Sequence, residues 1–138
     1  MTERVLRHPI DADLARLRAL VSTQASAAGL RGERLVDLVL AANEAITNVL
    51  DHGGGTGTLT IRTRPGAITV QVEDAAGHLT RDHLARARIG PAASRGYGLW
   101  LIQRLCDQVE LHHAGGGSLL SLTMHVPSAA RDRGAVDS

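Results

Sequence analysis

The sequence predicts an α+β fold: a two-layer sandwich with helices on one face of a mixed, mostly antiparallel sheet. Three observations carry this. Apolar residues recur at helical spacing in two early stretches and one late one. Two other stretches alternate apolar and polar residues around glycine-containing turns. The resulting order, helix, helix, hairpin, loop, helix, hairpin, pairs the strands antiparallel and keeps the helices apart from them. A chain of 138 residues suits one domain with one core.

Residues 1–10 read as an extended arm or edge strand. From Asp11, Leu14, Leu17, Leu20 and Val21 form a helical stripe that stops at Gly29. A second, longer helix runs from Gly32 to a left-handed glycine cap at Gly53. Leu59 and Ile61, then Ile68, Val70 and Val72, flank a Pro65-Gly66 turn as a hairpin with one buried face. Residues 75–96 are irregular, with one short helix expected around 80–88; a span of that length between clear elements is often a functional lid. A third helix starts in the glycine pair Gly96 and Gly98. A second hairpin, "VELHHAGGGSLLSLTMHVP", turns on three glycines. Residues 1–127 thus form the domain. The tail from Ser128 to Ser138 has little to bury and is expected to be disordered.

Composition excludes several functions. All 15 basic residues are Arg, which rules out lysine chemistry such as a P-loop or a Schiff base. Net charge is +1 with no basic stripe, against direct nucleic-acid binding. No apolar run is long enough to span a membrane and no signal peptide opens the chain, so a membrane role is not expected. The lone Cys106 cannot form an internal disulfide, which fits a reducing cytoplasm. The histidines lack standard zinc spacing, and no strand-to-helix elbow presents a nucleophilic Ser.

Three constellations remain. In "NEAITNVLDHGGG", Glu44, Asn48 and His52 recur every fourth residue. With Glu44 at 0° on a helical wheel, Asn48 falls near ~40° and His52 near ~80°. Leu35, Leu38, Val39, Ala42, Ile46, Val49 and Leu50 occupy about 120–240°, so the apolar face is complete without the polar three. On pattern alone, a solvated face is the commoner meaning of such a stripe. Next, Asp74 ends a strand and is followed by small residues; it can meet a ligand or simply cap its own turn. Last, "RGYGLWLI" places Gly96 and Gly98 at the start of an apolar helix, where free N–H groups favour phosphate, although a plain loop reads the same way.

Taken together and in this order, the motifs resemble the ATPase superfamily of DNA gyrase, heat-shock chaperones, histidine kinases and MutL-type repair proteins (GHKL). "E-A-I-T-N-V-L-D-H-G" is similar to its N box, "D-A-A-G" to its G1 box and "G-Y-G-L-W-L-I" to its G2 box. Within the superfamily the chain most resembles the single-domain anti-sigma factor serine kinases of bacteria, over about residues 10–126. The resemblance implies a Bergerat-type fold holding ATP and Mg²⁺. By position it implies Glu44 as general base, Asn48 as the Mg²⁺ ligand and Asp74 as acceptor for the adenine amino group. Gly77, Gly96, Gly98 and Leu99 would line the nucleotide, Arg95 would counter the phosphates, and Ser118 would lie near adenine. His52 would belong to the site or only shape the glycine turn. One departure stands out: Ala76 and His78 occupy the two glycine positions of the usual D-x-G-x-G box.

The implied function is an ATP-dependent serine/threonine kinase in the cytoplasm. It would phosphorylate an anti-sigma factor antagonist of STAS type and sequester a sigma factor, and relatives of this kind are often homodimers. The alternative is an interaction module of the same fold, with or without ATP, and no kinase activity. Glu44 favours the first and the altered G1 box the second. A detached histidine-kinase domain would need a dimerisation domain with a phosphoacceptor histidine, for which the chain has no room.

Overall fold

The structure, a computed structural model, describes residues 3–52, 56–75 and 97–127. Its elements are β1 (Arg4–Pro9), α1 (Leu14–Ala27), α2 (Gly32–His52), β2 (Gly57–Arg64), β3 (Ala67–Asp74), α3 (Tyr97–Leu105), β4 (Gln108–Ala114) and β5 (Gly117–His125). The expected helix 80–88 and the tail 128–138 lie outside the described residues.

Local chemistry sets the boundaries. Asp13, rather than Asp11, caps α1, accepting from the Arg16 N–H at 3.2 Å. Gly29 follows that helix at φ +104°. Pro65-Gly66 makes the β2–β3 turn, with φ +85° at Gly66, as a Pro-Gly type II turn requires. In the β4–β5 turn both central residues, Gly115 and Gly116, have positive φ, the type I′ pattern that glycine permits.

The sheet has the order β1-β2-β3-β5-β4, and each neighbouring pair is antiparallel, in line with the mostly antiparallel sheet expected. β1 is an edge strand. Register puts Ile61, Val70 and Leu122 on one face, fully buried in a core shared with Leu17, Val21, Leu38, Ile46 and Ile102 of the helices. The opposite face is polar and hydrogen-bonded to itself. Thr69 Oγ1 and Thr123 Oγ1 are 3.0 Å apart, and Gln71 Nε2 donates to Ser121 Oγ at 3.3 Å.

Helix α2 lies between α1 and α3 and packs on both. Arg18 of α1 donates to Asn43, which fixes the α1 flank of α2 at about −100° on the wheel used above. On the other flank Ala41 and Ala45 are 0% and 2% exposed. Their wheel positions, about 60° and 100°, lie outside the arc assigned to the apolar face, so burial extends further toward α3 than apolar bulk alone indicated. Small side chains let that helix come close.

At the far end of the helical layer, Arg34 donates to both carboxylate oxygens of Asp107, and its Nη2 also donates to the His125 carbonyl at 2.9 Å. The His125 N–H in turn donates to Asp107 Oδ2 at 2.8 Å. This clamp ties the start of α2 to the α3–β4 bend and the end of β5. Because α2 runs away from the clamp and α3 runs toward it, the start of α3 and the second half of α2 share the opposite end of the molecule.

Candidate active site

At that opposite end, register aligns one residue from each of four strands: Gly57 of β2, Asp74 of β3, Ser118 of β5 and His113 of β4. All four belong to the helix-facing side, since Leu59, Val72, Leu120 and Leu111 occupy the next row in from the end on that side and are buried. Asp74 is 5% exposed and Ser118 is 2% exposed. A buried hydroxyl is costly unless something answers it. Ser118 Oγ has no hydrogen-bond partner, alone among the buried side-chain nitrogens and oxygens of the described residues. Natural cores rarely leave such an atom orphaned, and a binding site is one standing reason for it.

Gly57 makes this row possible. A Cβ at Gly57 would overlap the carbonyl oxygen of Glu73 and would lie 3.0 Å from Cγ1 of Val49. The backbone there therefore approaches β3 beside Asp74, and α2 comes down onto it at Val49. That contact places the last turns of α2, with Glu44 and Asn48, above the same end of the sheet. Both side chains are half-buried. Asn48 borders the arc buried against α3, while Glu44 sits one turn back on the outer ridge. The nine-residue α3 rises ~12 Å from its clamp end, and Glu44 lies ~15 Å along α2 from Arg34, so the first turn of α3 comes up to just short of Glu44.

The residues placed toward this end of the molecule are thus Glu44, Asn48, Asp74, Ser118 and the start of α3. Leu99 lies in that start, but its side chain is 4% exposed and belongs to the core, which leaves its backbone N–H as the group able to meet a ligand. Gly98 falls in the first turn of α3 and His52 in the last turn of α2. Gly77, Arg95 and Gly96, like the departures Ala76 and His78, lie outside the described residues. Gly57 was not among the residues singled out from the sequence. Its signal was present in the alternation of "GTLTI", which starts on a residue with no side chain where the inward face requires one.

What could the arrangement hold? No group of three or more His, Cys, Asp or Glu able to hold a metal occurs among the described residues. A hard divalent cation can still bind where phosphate oxygens and waters supply most of its ligands and one Asn oxygen completes them. The orphaned Ser118 hydroxyl beside the Asp74 carboxylate offers hydrogen-bonding groups of both kinds to a polar ligand.

The family profile described as the histidine kinase-like ATPase domain matches residues 10–124. This chain belongs to that family. No curated protein matches it. Its fold is similar to that of the RsbU and RsbW domains of Rv1364c from Mycobacterium tuberculosis, at TM-score 0.60 and 19% identity over 91% of this chain. The match spans 33% of that longer chain. It is also similar to the SiaB–SiaC complex from Pseudomonas aeruginosa, at TM-score 0.58 and 16% identity over 89% of each chain. Family and fold therefore agree with the resemblance carried by the three boxes.

Proposed function

We propose that the chain binds ATP with Mg²⁺ at the Asp74–Ser118 end of its sheet and acts as a protein serine/threonine kinase on an anti-sigma factor antagonist of STAS type, besides binding a sigma factor. The observation that carries the nucleotide part is the orphaned Ser118 hydroxyl next to the buried Asp74 carboxylate. Support for the regulatory part comes from the N box and from the fold shared with an RsbW domain and with the SiaB–SiaC complex.

In this reading Asp74 accepts a hydrogen bond from the adenine amino group. Guanine presents a carbonyl there, and two acceptors would face each other. Ser118 completes the edge of the base. Asn48 offers its side-chain oxygen to Mg²⁺, which neutralises phosphate charge when bound. The N–H groups opening α3 meet the phosphates, and Arg95 supplies the counter-charge that a lysine provides elsewhere. Glu44, one turn from Asn48, takes the proton from the attacking serine or threonine hydroxyl as the γ-phosphoryl moves to it. Glu44→Gln should keep ATP affinity while phosphate transfer from γ-labelled ATP to a STAS-type antagonist falls at least about a hundredfold. Equal transfer by both proteins would remove Glu44 from that role.

A second reading is favoured by Ala76 and His78 at the glycine positions of the G1 box. There the fold acts as an interaction module, and Glu44→Gln leaves partner binding and its biological effect unchanged.

A further inference from the structure

Helix α2 carries two large apolar side chains that the fold does not use: Val36 is 63% exposed and Leu40 is 39% exposed. Among the described residues the only other exposed large apolar side chain is Val5, on the sheet edge. Val36 and Leu40 are one turn apart, and Glu44 is one turn further along the same ridge. Their separations from Glu44 along the axis are about 12 Å and 6 Å. The ridge is also acidic. Glu33, Asp37, Glu44 and Asp51 fall within about 40° of one another on the wheel. The only Arg of α2, Arg34, is committed to Asp107, and Arg18 of α1 borders the ridge on the Asn43 side.

We infer that this ridge is where the hydroxyl-bearing acceptor protein docks, presenting an apolar contact flanked by basic residues. The inference rests on the kinase reading. A protein substrate must cover the surface around Glu44 for its hydroxyl to reach that carboxylate. Leu40 and Val36 extend that surface away from the nucleotide end, so the acceptor lies along α2 toward the clamp. The apolar pair supplies the contact that holds it, and the flanking carboxylates select a basic partner and speed its approach. Neither side chain is needed for folding, since both face outward from the core.

The test is the double variant Val36→Ser with Leu40→Ser, with Val5→Ser as control, assayed with a STAS-type antagonist and γ-labelled ATP. The expected result is a KM for the antagonist raised about tenfold or more with kcat and ATP affinity unchanged, and an unchanged melting temperature. High salt should raise the wild-type KM as well. Val5→Ser should behave as wild type. An unchanged KM in the double variant, with transfer intact, would overturn the docking surface and leave the kinase reading standing. Absence of transfer by the wild-type protein would sink the kinase reading and the docking surface with it. Self-association of the chain alone that the double variant abolishes would assign the ridge to a second copy and overturn the proposal.

Discussion

Ser118 and Asp74 are the pair on which the proposed nucleotide site rests. An unpaired buried hydroxyl costs a protein about 1–3 kcal/mol, a cost that the proposed nucleotide would offset at Ser118. Ser118→Ala should therefore leave the melting temperature of the free protein unchanged or raised, while weakening ATP binding several-fold by calorimetry. A purely structural serine would show the reverse. Asp74→Asn should lower ATP affinity by at least about tenfold, because an acceptor becomes in part a donor facing another donor. Cys106 is a different kind of residue. Burial, with Asp107 and Asp37 nearby, pushes its thiol up to about 12. It should stay a neutral, unreactive thiol at pH 7–8, so that alkylation by iodoacetamide follows unfolding rather than exposure. Rapid alkylation of the folded protein would contradict this.

At the scale of elements, two junctions position the site. Gly57 lets β2 approach Asp74; Gly57→Ala should lower stability by about 1–3 kcal/mol and weaken nucleotide binding together, since the added methyl overlaps backbone. The Arg34–Asp107 clamp holds α2 and α3 at the opposite end. The Arg34 guanidinium, with the His125 N–H, keeps the Asp107 carboxyl below its usual range. A carboxyl depressed in the folded state stabilises fully above its unfolded value, near ~4. That contribution fades as pH falls through the lower folded value. Asp107→Asn should thus cost about 1 kcal/mol at pH 7, given the partial exposure of the pair, and the gap to wild type should narrow as pH falls below the unfolded value. Most elements were legible in the sequence because their signals were local: Asp before α1, Pro-Gly and Gly-Gly at the turns, and alternation in β2, β3 and β5. The clamp was not, since Arg34 and Asp107 are joined only through tertiary packing. Nor was the burial of Ala41 and Ala45, whose small side chains carry weak apolar signal but permit close helix contact.

For the whole molecule, the site is assembled from parts that are remote in the chain. The Glu44–Asn48 stripe gave no decision between solvent and site. Asp74 and Ser118 become neighbours only because β5 inserts between β3 and β4 in the sheet. The orphaned state of Ser118 could not be read from sequence at all. With the family assigned and the fold shared with an RsbW domain, the central claim is that this end of the sheet is a nucleotide site. Calorimetric titration of the wild-type protein with ATP and Mg²⁺ tests it most directly, with GTP and the Asp74→Asn variant run alongside. The account predicts saturable binding of ATP at one site per chain, weaker binding of GTP, and ATP affinity at least about tenfold lower in Asp74→Asn. No heat of ATP binding to the wild-type protein, or equal binding by Asp74→Asn, would contradict it.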